Sequence, residues 1–258
     1  MQVSSIGGVS RVTNVNILMN PKIELRRVDD GGNPSEDRDV IDITEIQRTY
    51  PKKAVDEYKK ALEDHRKGDS AKSLKRLQDV LKLAPDFYQV HNNLGVLYQE
   101  MEQYRDAEKE YRRAAELNPR SPQPLINLGS LFIQESDSRK AEGFKVVGKL
   151  LDDAMDCLDE AINLRPTAAM AHYYLGSAYY KSAFYKEAEA SLKKSLDLDS
   201  SLGRTRLMLV NVYIKTNRWQ DVLANLDAYL KENPKAADHA DIERRRATVA
   251  KGLETARE

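Results

Sequence analysis

The chain has 258 residues, 32% of them charged, and its 41 basic and 41 acidic side chains cancel to a formal net charge of zero. That balance excludes a global field that would draw nucleic acid or anionic lipid. No apolar run approaches the roughly 18 residues needed to cross a bilayer. The single cysteine, Cys157, excludes an intramolecular disulfide, which suits a reducing compartment.

Residues 1–50 differ from the rest. Gly7-Gly8, Asn20-Pro21, Gly31-Gly32 and Asn33-Pro34 are turn or breaker pairs. Val15, Ile17 and Met19 alternate with polar residues, as do Ile23 and Leu25, so two short strands are expected around Asn20-Pro21. Asp29 to Asp39 is polar and acidic and reads as a loop or linker. The segment is too short for a sheet core of its own. Its opening residues lack a basic stretch followed by an apolar core, so they do not read as a signal peptide, and the cytoplasm is the default compartment. Val15–Arg26 resembles the end of the small carboxypeptidase-regulatory-like β-sandwich that precedes helical repeats in some bacterial envelope proteins. That resemblance implies a shortened relative with most of the sandwich missing, and makes the periplasm or envelope the alternative compartment.

Thr44 and Gln47 have capping-box spacing, so a short helix is expected to start there. Pro51 suits the first turn of a longer helix. A repeating register follows. In the first unit, 51–87, Gly68, Leu74, Leu77, Val80 and Pro85 keep phase. The second, 88–121, is the clearest, and His91 to Pro119 reads HNNLGVLYQEMEQYRDAEKEYRRAAELNP. Val90, Leu94, Leu97, Tyr98 and Met101 share a helical face by their three-four spacing. Gly95 and Ala107 are small enough to let two helix backbones approach. Glu102-Gln103 allows only a short connection, and Pro119 ends the second helix.

His91, Leu94, Gly95, Tyr98, Ala107, Tyr111 and Pro119 stand where a tetratricopeptide repeat places its signature residues, and the stretch resembles that family. Leu125, Leu128, Gly129 and Phe132 repeat the pattern in 122–168, which closes with Ala154, Leu158, Ala161 and Pro166. His172, Leu175, Gly176, Tyr179, Tyr185, Ala188 and Leu192 repeat it in 169–202. Leu209, Tyr213, Trp219, Val222, Leu226, Tyr229 and Pro234 do so in 203–236. Ser200 replaces a closing Pro, and Val210 and Val222 replace small residues. Residues 237–258 carry Ile242, Val249, Leu253 and Ala256 on a narrow stripe, as a terminal capping helix requires. The implied fold is all-α: a right-handed superhelical solenoid of about five helical hairpins with a C-terminal cap. One hairpin cannot bury both faces, so neighbours must stack.

The third unit carries about twelve extra residues near 137–148. Phe144, Val147, Leu151, Ala154, Leu158 and Ala161 keep three-four spacing through the junction. The second helix is therefore expected to start near Lys140 and project beyond its neighbours, with Gly143 and Gly148 weakening it by roughly 1 kcal/mol each. A loop is the alternative.

No enzymatic constellation emerges. Gly143–Lys149 nearly matches a phosphate-binding loop, but Leu150 stands where Ser or Thr should reach magnesium, and no strand precedes it. His65, His91, His172 and His239 form no metal motif, and Cys157 has no neighbouring His. No cofactor or metal is implied.

The resemblance implies a concave surface lined by the first helix of each hairpin. Carried over by position, the peptide-binding groove comprises Asn92, Asn93 and Gln99, then Asn127 and Ser130. It continues with Tyr173, Tyr174, Ser177, Tyr180 and Lys181, and ends with Arg204, Met208, Asn211 and Lys215. Asn amides can pair with a peptide backbone, tyrosines give stiff contact area, and Lys181, Arg204 and Lys215 attract an acidic group. Packing is the alternative: Tyr173, Tyr174 and Tyr180 partly between repeats, and Asn93 or Asn127 against neighbouring helices. The co-chaperone carboxylate clamp is not intact, because Val96, Met170 and Tyr174 occupy positions it needs. The expected function is a non-catalytic scaffold for a protein or peptide partner, with no nucleic acid. The alternative is an assembly subunit that self-associates or joins an envelope complex through the projecting helix or the N-terminal segment.

Overall fold

The computed structural model describes residues 43–255, and the expected strands and the β-sandwich resemblance at Val15–Arg26 lie outside them. Every regular element among the described residues is helical. The chain divides into two compact units, the first ending at Gln103 and the second beginning at Tyr104.

The first unit holds α1 (Ile43–Thr49), α2 (Lys52–Arg66), α3 (Ser70–Leu83) and α4 (Tyr88–Glu100). Helix α1 starts one residue before the expected Thr44. Pro51 is the N-cap of α2 rather than its first helical residue. At the N-cap of α3 the Asp69 carboxylate accepts the Lys72 backbone N–H at 3.1 Å. The apolar face of α2 (Ala54, Val55, Tyr58, Ala61) meets Leu77, Val80 and Phe87 in a core that also takes in Ile46, Val90, Leu94 and Leu97. Tyr50 stacks on Phe87 with centroids 4.0 Å apart. Arg76 of α3 ties back to α2 through Glu57 and Asp64, both at 2.6 Å.

The second unit holds α5 (Tyr104–Leu117), α6 (Gln123–Ser138), a 3-10 turn (Lys140–Glu142), α7 (Phe144–Leu164) and α8 (Ala169–Lys181). It continues with α9 (Tyr185–Leu198), α10 (Gly203–Lys215), α11 (Trp219–Glu232) and α12 (His239–Thr255). Helices α6 and α7, α8 and α9, and α10 and α11 pack as hairpins. Each hairpin also touches the next, and α6, α8 and α10 form an adjoining row of first helices. Two glycines set the closeness of this packing. A Cβ on Gly129 would lie 2.5 Å from Leu158 Cγ, and one on Gly176 2.6 Å from Leu192 Cγ. Helix α12 buries Ile242, while Val249 packs against the same core and the opposite face stays exposed.

The extra residues of the third unit are ordered as helix, but not as one continuous early-starting α7. The second helix begins at Phe144, not near Lys140, because Gly143 adopts φ +98° and ends the 3-10 turn at the N-cap of α7. Gly143 therefore punctuates the helix instead of weakening its interior. Helix α7 runs 21 residues, and its first buried side chain is Leu150. Phe144 stands 92% exposed at its start.

Candidate functional site

The row α6–α8–α10 brings seven of the expected groove residues onto three adjoining helices with definite partners. Ser130 of α6 and Tyr174 of α8 join by a side-chain hydrogen bond. Tyr174 meets Tyr173 edge-on with centroids 5.1 Å apart. The Arg204 guanidinium of α10 lies 5.8 Å from the Tyr173 ring centroid, within cation–π range. Ser177 Oγ donates to the Tyr173 backbone carbonyl at 2.9 Å. Asn127 Oδ1 accepts from Gln123 Nε2 at 3.0 Å, one turn back on α6.

Burial raises the Tyr173 hydroxyl above its ordinary range and pushes Tyr174 up to about 12. Both phenols therefore stay protonated near neutrality. The basic residues split. Lys181 Nζ donates to Asp137 at 2.6 Å, and Lys140 pairs with the same carboxylate at 2.8 Å. Burial alone would lift the Asp137 carboxyl, but the hydrogen bonds from Lys140 and Lys181 outweigh it and hold it below its ordinary value. Arg204 Nη1 is buried with no hydrogen-bond partner. Tyr180 and Met208 are partly buried, whereas Asn211 and Lys215 are exposed along α10.

In the first unit, Asn92, Asn93 and Gln99 are all buried on α4. Asn93 Nδ2 donates to the Tyr58 hydroxyl at 2.9 Å inside the hairpin core. Sequence reasoning missed the pairing roles of Asp137 and Gln123. The signal for Asp137 is tertiary, since it lies 44 residues from Lys181, whereas Gln123 stands four residues before Asn127 and helical spacing alone could have found it.

Little here resembles a reactive centre. Burial pushes the Cys157 thiol up to about 11, so it is a poor nucleophile near neutrality. His91 and His172 spend Nε2 on the carbonyls of Pro85 and Pro166 at 2.9 and 3.0 Å. Among the described residues no helix is long and apolar enough to cross a membrane.

Two stretches match known repeat families: residues 88–121 match the tetratricopeptide repeat, and residues 150–182 match a TPR repeat family. The chain is a tetratricopeptide-repeat protein. Its fold is shared by a thermophilic TPR protein of Thermus thermophilus, at a TM-score of 0.65 and 21% identity over 76% of this chain and 98% of that one. It is also shared by PilW, a type IV pilus biogenesis factor, at a TM-score of 0.67 and 18% identity over 79% and 89%. Among curated proteins, photosystem I assembly protein Ycf3 of Synechococcus sp. (strain CC9311) is 28% identical over 116 residues. That match covers 44% of this tetratricopeptide-repeat chain and 64% of the relative, short of two thirds of its length.

Proposed function

We propose that the chain is a non-catalytic scaffold that holds an extended segment of a partner protein against α6, α8 and α10. The observation that carries this reading is the convergence of Ser130, Tyr173, Tyr174, Ser177 and Arg204. Aromatic rings, neutral hydroxyls and a cation lie together on α6, α8 and α10 of the second unit. Stiff amphipathic tyrosines beside an arginine are the residue types that dominate protein-binding surfaces. Asn211 and Lys215, exposed further along α10, extend that surface. The names of two similar proteins, a photosystem I assembly protein and a pilus biogenesis factor, support a scaffold that acts in building larger complexes.

The test is a crosslinking pull-down from the source cell's lysate, read by mass spectrometry, with wild type beside Tyr173→Ala/Asn211→Ala of matched circular dichroism. A partner captured by wild type and lost by the variant is the expected result. Identical captures would remove this face from consideration.

A second reading rests on Phe144. A phenylalanine 92% exposed at the tip of an extended helix supports contact with another subunit through that tip. Sedimentation of wild type and Phe144→Ser at several concentrations tests it. A monomer in both cases rejects self-association.

A further inference from the structure

The second unit exposes its large apolar side chains unevenly. Phe144, Phe184, Ile214 and Trp219 stand at hairpin turns and are 92%, 51%, 40% and 36% exposed. Elsewhere in that unit Leu164 alone is comparably open among the described residues. The turns adjoin along one edge. Lys181 at the end of α8 reaches Asp137 near the end of α6 at 2.6 Å, and Arg218 before α11 reaches Glu189 of α9 at 2.6 Å. The same edge separates charge. Its acids are largely neutralised from within: Asp137 by Lys140 and Lys181, Glu142 by Arg139, Asp221 by Arg218. Lys145, Lys186 and Lys215 are exposed, each within two residues of a bare apolar side chain, and enter no ion pair among the described residues. Glu187 is the acid there without such a pair. A net charge of zero over the whole chain thus conceals a local cationic edge.

We propose that this edge rests on an anionic lipid bilayer, with the apolar side chains entering its interfacial layer and the free lysines meeting the headgroups. A protein interface buries a contiguous, closely fitted patch. The apolar residues here are separate points spread over three turns. A bilayer interface accepts such points, favours tryptophan, and attracts lysines whose ammonium groups stay at headgroup level. Helix α7 begins to pack only at Leu150, so Phe144 leads it by roughly 9 Å of helix. That reach matches the depth of about 5–10 Å at which interfacial apolar faces settle. The inference is separate from the groove reading, because it uses the hairpin turns rather than the row of first helices.

Trp219 is the single tryptophan of the chain, so its emission reports on this edge directly. The full chain is mixed with vesicles of phosphatidylcholine, alone or with about one third phosphatidylserine. Binding is read by flotation and by tryptophan fluorescence. The expected result is flotation with the anionic vesicles, a blue shift of Trp219 emission and its quenching by brominated acyl chains. Raising the salt should reverse all three. Lys145→Gln/Lys186→Gln and Phe144→Ser are each expected to weaken partitioning about tenfold or more. Leu164→Ser, at the far end of α7, should leave it unchanged. Lys215 stays untouched because the groove reading also uses it, so the vesicle result and the loss of a groove partner are read separately. The quenching needs only the wild-type protein, so it decides the matter even if a variant folds poorly. No flotation with anionic vesicles overturns the proposal. So does flotation with unaltered Trp219 emission, or flotation that the lysine and Phe144 variants leave intact. Polyglutamate binding without vesicle binding assigns the edge to an acidic protein instead. An oligomer that Phe144→Ser dissociates, again without vesicle binding, assigns it to a second copy of this chain.

Discussion

The imidazole Nε2 of His91 lies 2.9 Å from the carbonyl oxygen of Pro85. A carbonyl can only accept, so the ring donates Nε2–H and pins the first turn of α4 to the end of the loop before it. His172 repeats this with Pro166 at 3.0 Å, and His239 uses Nδ1 on Asn233 at 3.3 Å. The histidine that stands at the family's aromatic position therefore also holds the loop between units. His91→Ala is expected to cost about 1–2 kcal/mol in urea unfolding. His172→Ala should cost less, because its bond is exposed. Equal, negligible losses would show that the bond contributes nothing.

Among the described residues, three non-glycine residues occupy the left-handed region at equivalent helix ends: Glu102 at φ 58°, Ala183 at 63° and Asn217 at 57°. Gly68 holds the fourth such place at 84°. Each sits where the next N–H turns back onto the helix, as Phe184 N–H does to the Tyr179 carbonyl at 2.9 Å. An alanine there is strained by roughly 1 kcal/mol. Ala183→Gly should raise the melting temperature, and Gly68→Ala should lower it. Opposite signs would refute the assignment.

Gly176 permits the close approach of α8 to α9. An alanine there would put its Cβ 2.6 Å from Leu192 Cγ and 3.1 Å from the Ala188 carbonyl oxygen. The backbone oxygen cannot rotate away, and Leu192 is fully buried. Gly176→Ala is expected to destabilise by about 1–3 kcal/mol despite alanine's better helix propensity. A stabilised variant in calorimetry would contradict that packing.

His65 Nε2 lies 3.5 Å from Glu100 Oε1. Burial pushes the Glu100 carboxyl from its ordinary 4.5 up to about 7, and holds the His65 imidazole below its usual value. An acid with a raised folded pKa stabilises the fold in its protonated form. The Glu100 contribution is thus complete below about 4.5 and lost as pH rises through about 7. His65 acts oppositely, and its contribution fades as pH falls below its ordinary 6.5. Glu100→Gln removes the first effect. Its stability relative to wild type should therefore improve by about 1–3 kcal/mol between about pH 5 and about pH 8. A constant difference across that range would rule out the shift.

The repeat was legible because packing sterics write it into spacing. Gly129 and Gly176 are glycines for the same reason: a leucine of the paired helix leaves no room for a Cβ. The row of first helices followed from that register. The division of labour within the row did not. Asn93 reads as a ligand-binding amide by position, yet it donates to Tyr58, 35 residues earlier. Lys181 and Arg204 look alike in sequence, but one meets a carboxylate and the other a ring. Those outcomes depend on distances between helices, which linear spacing does not encode. The start of α7 was misplaced because apolar periodicity continues through a position where one glycine's φ breaks the helix.

No side chain is buried anywhere from Asp137 to Lys149. Residues added or lost there displace nothing in the core, since α7 begins to pack only at Leu150. This tetratricopeptide-repeat protein thus has a seam at which its length can drift over generations, or be altered by grafting, while the packed parts of α6 and α7 on either side keep their register.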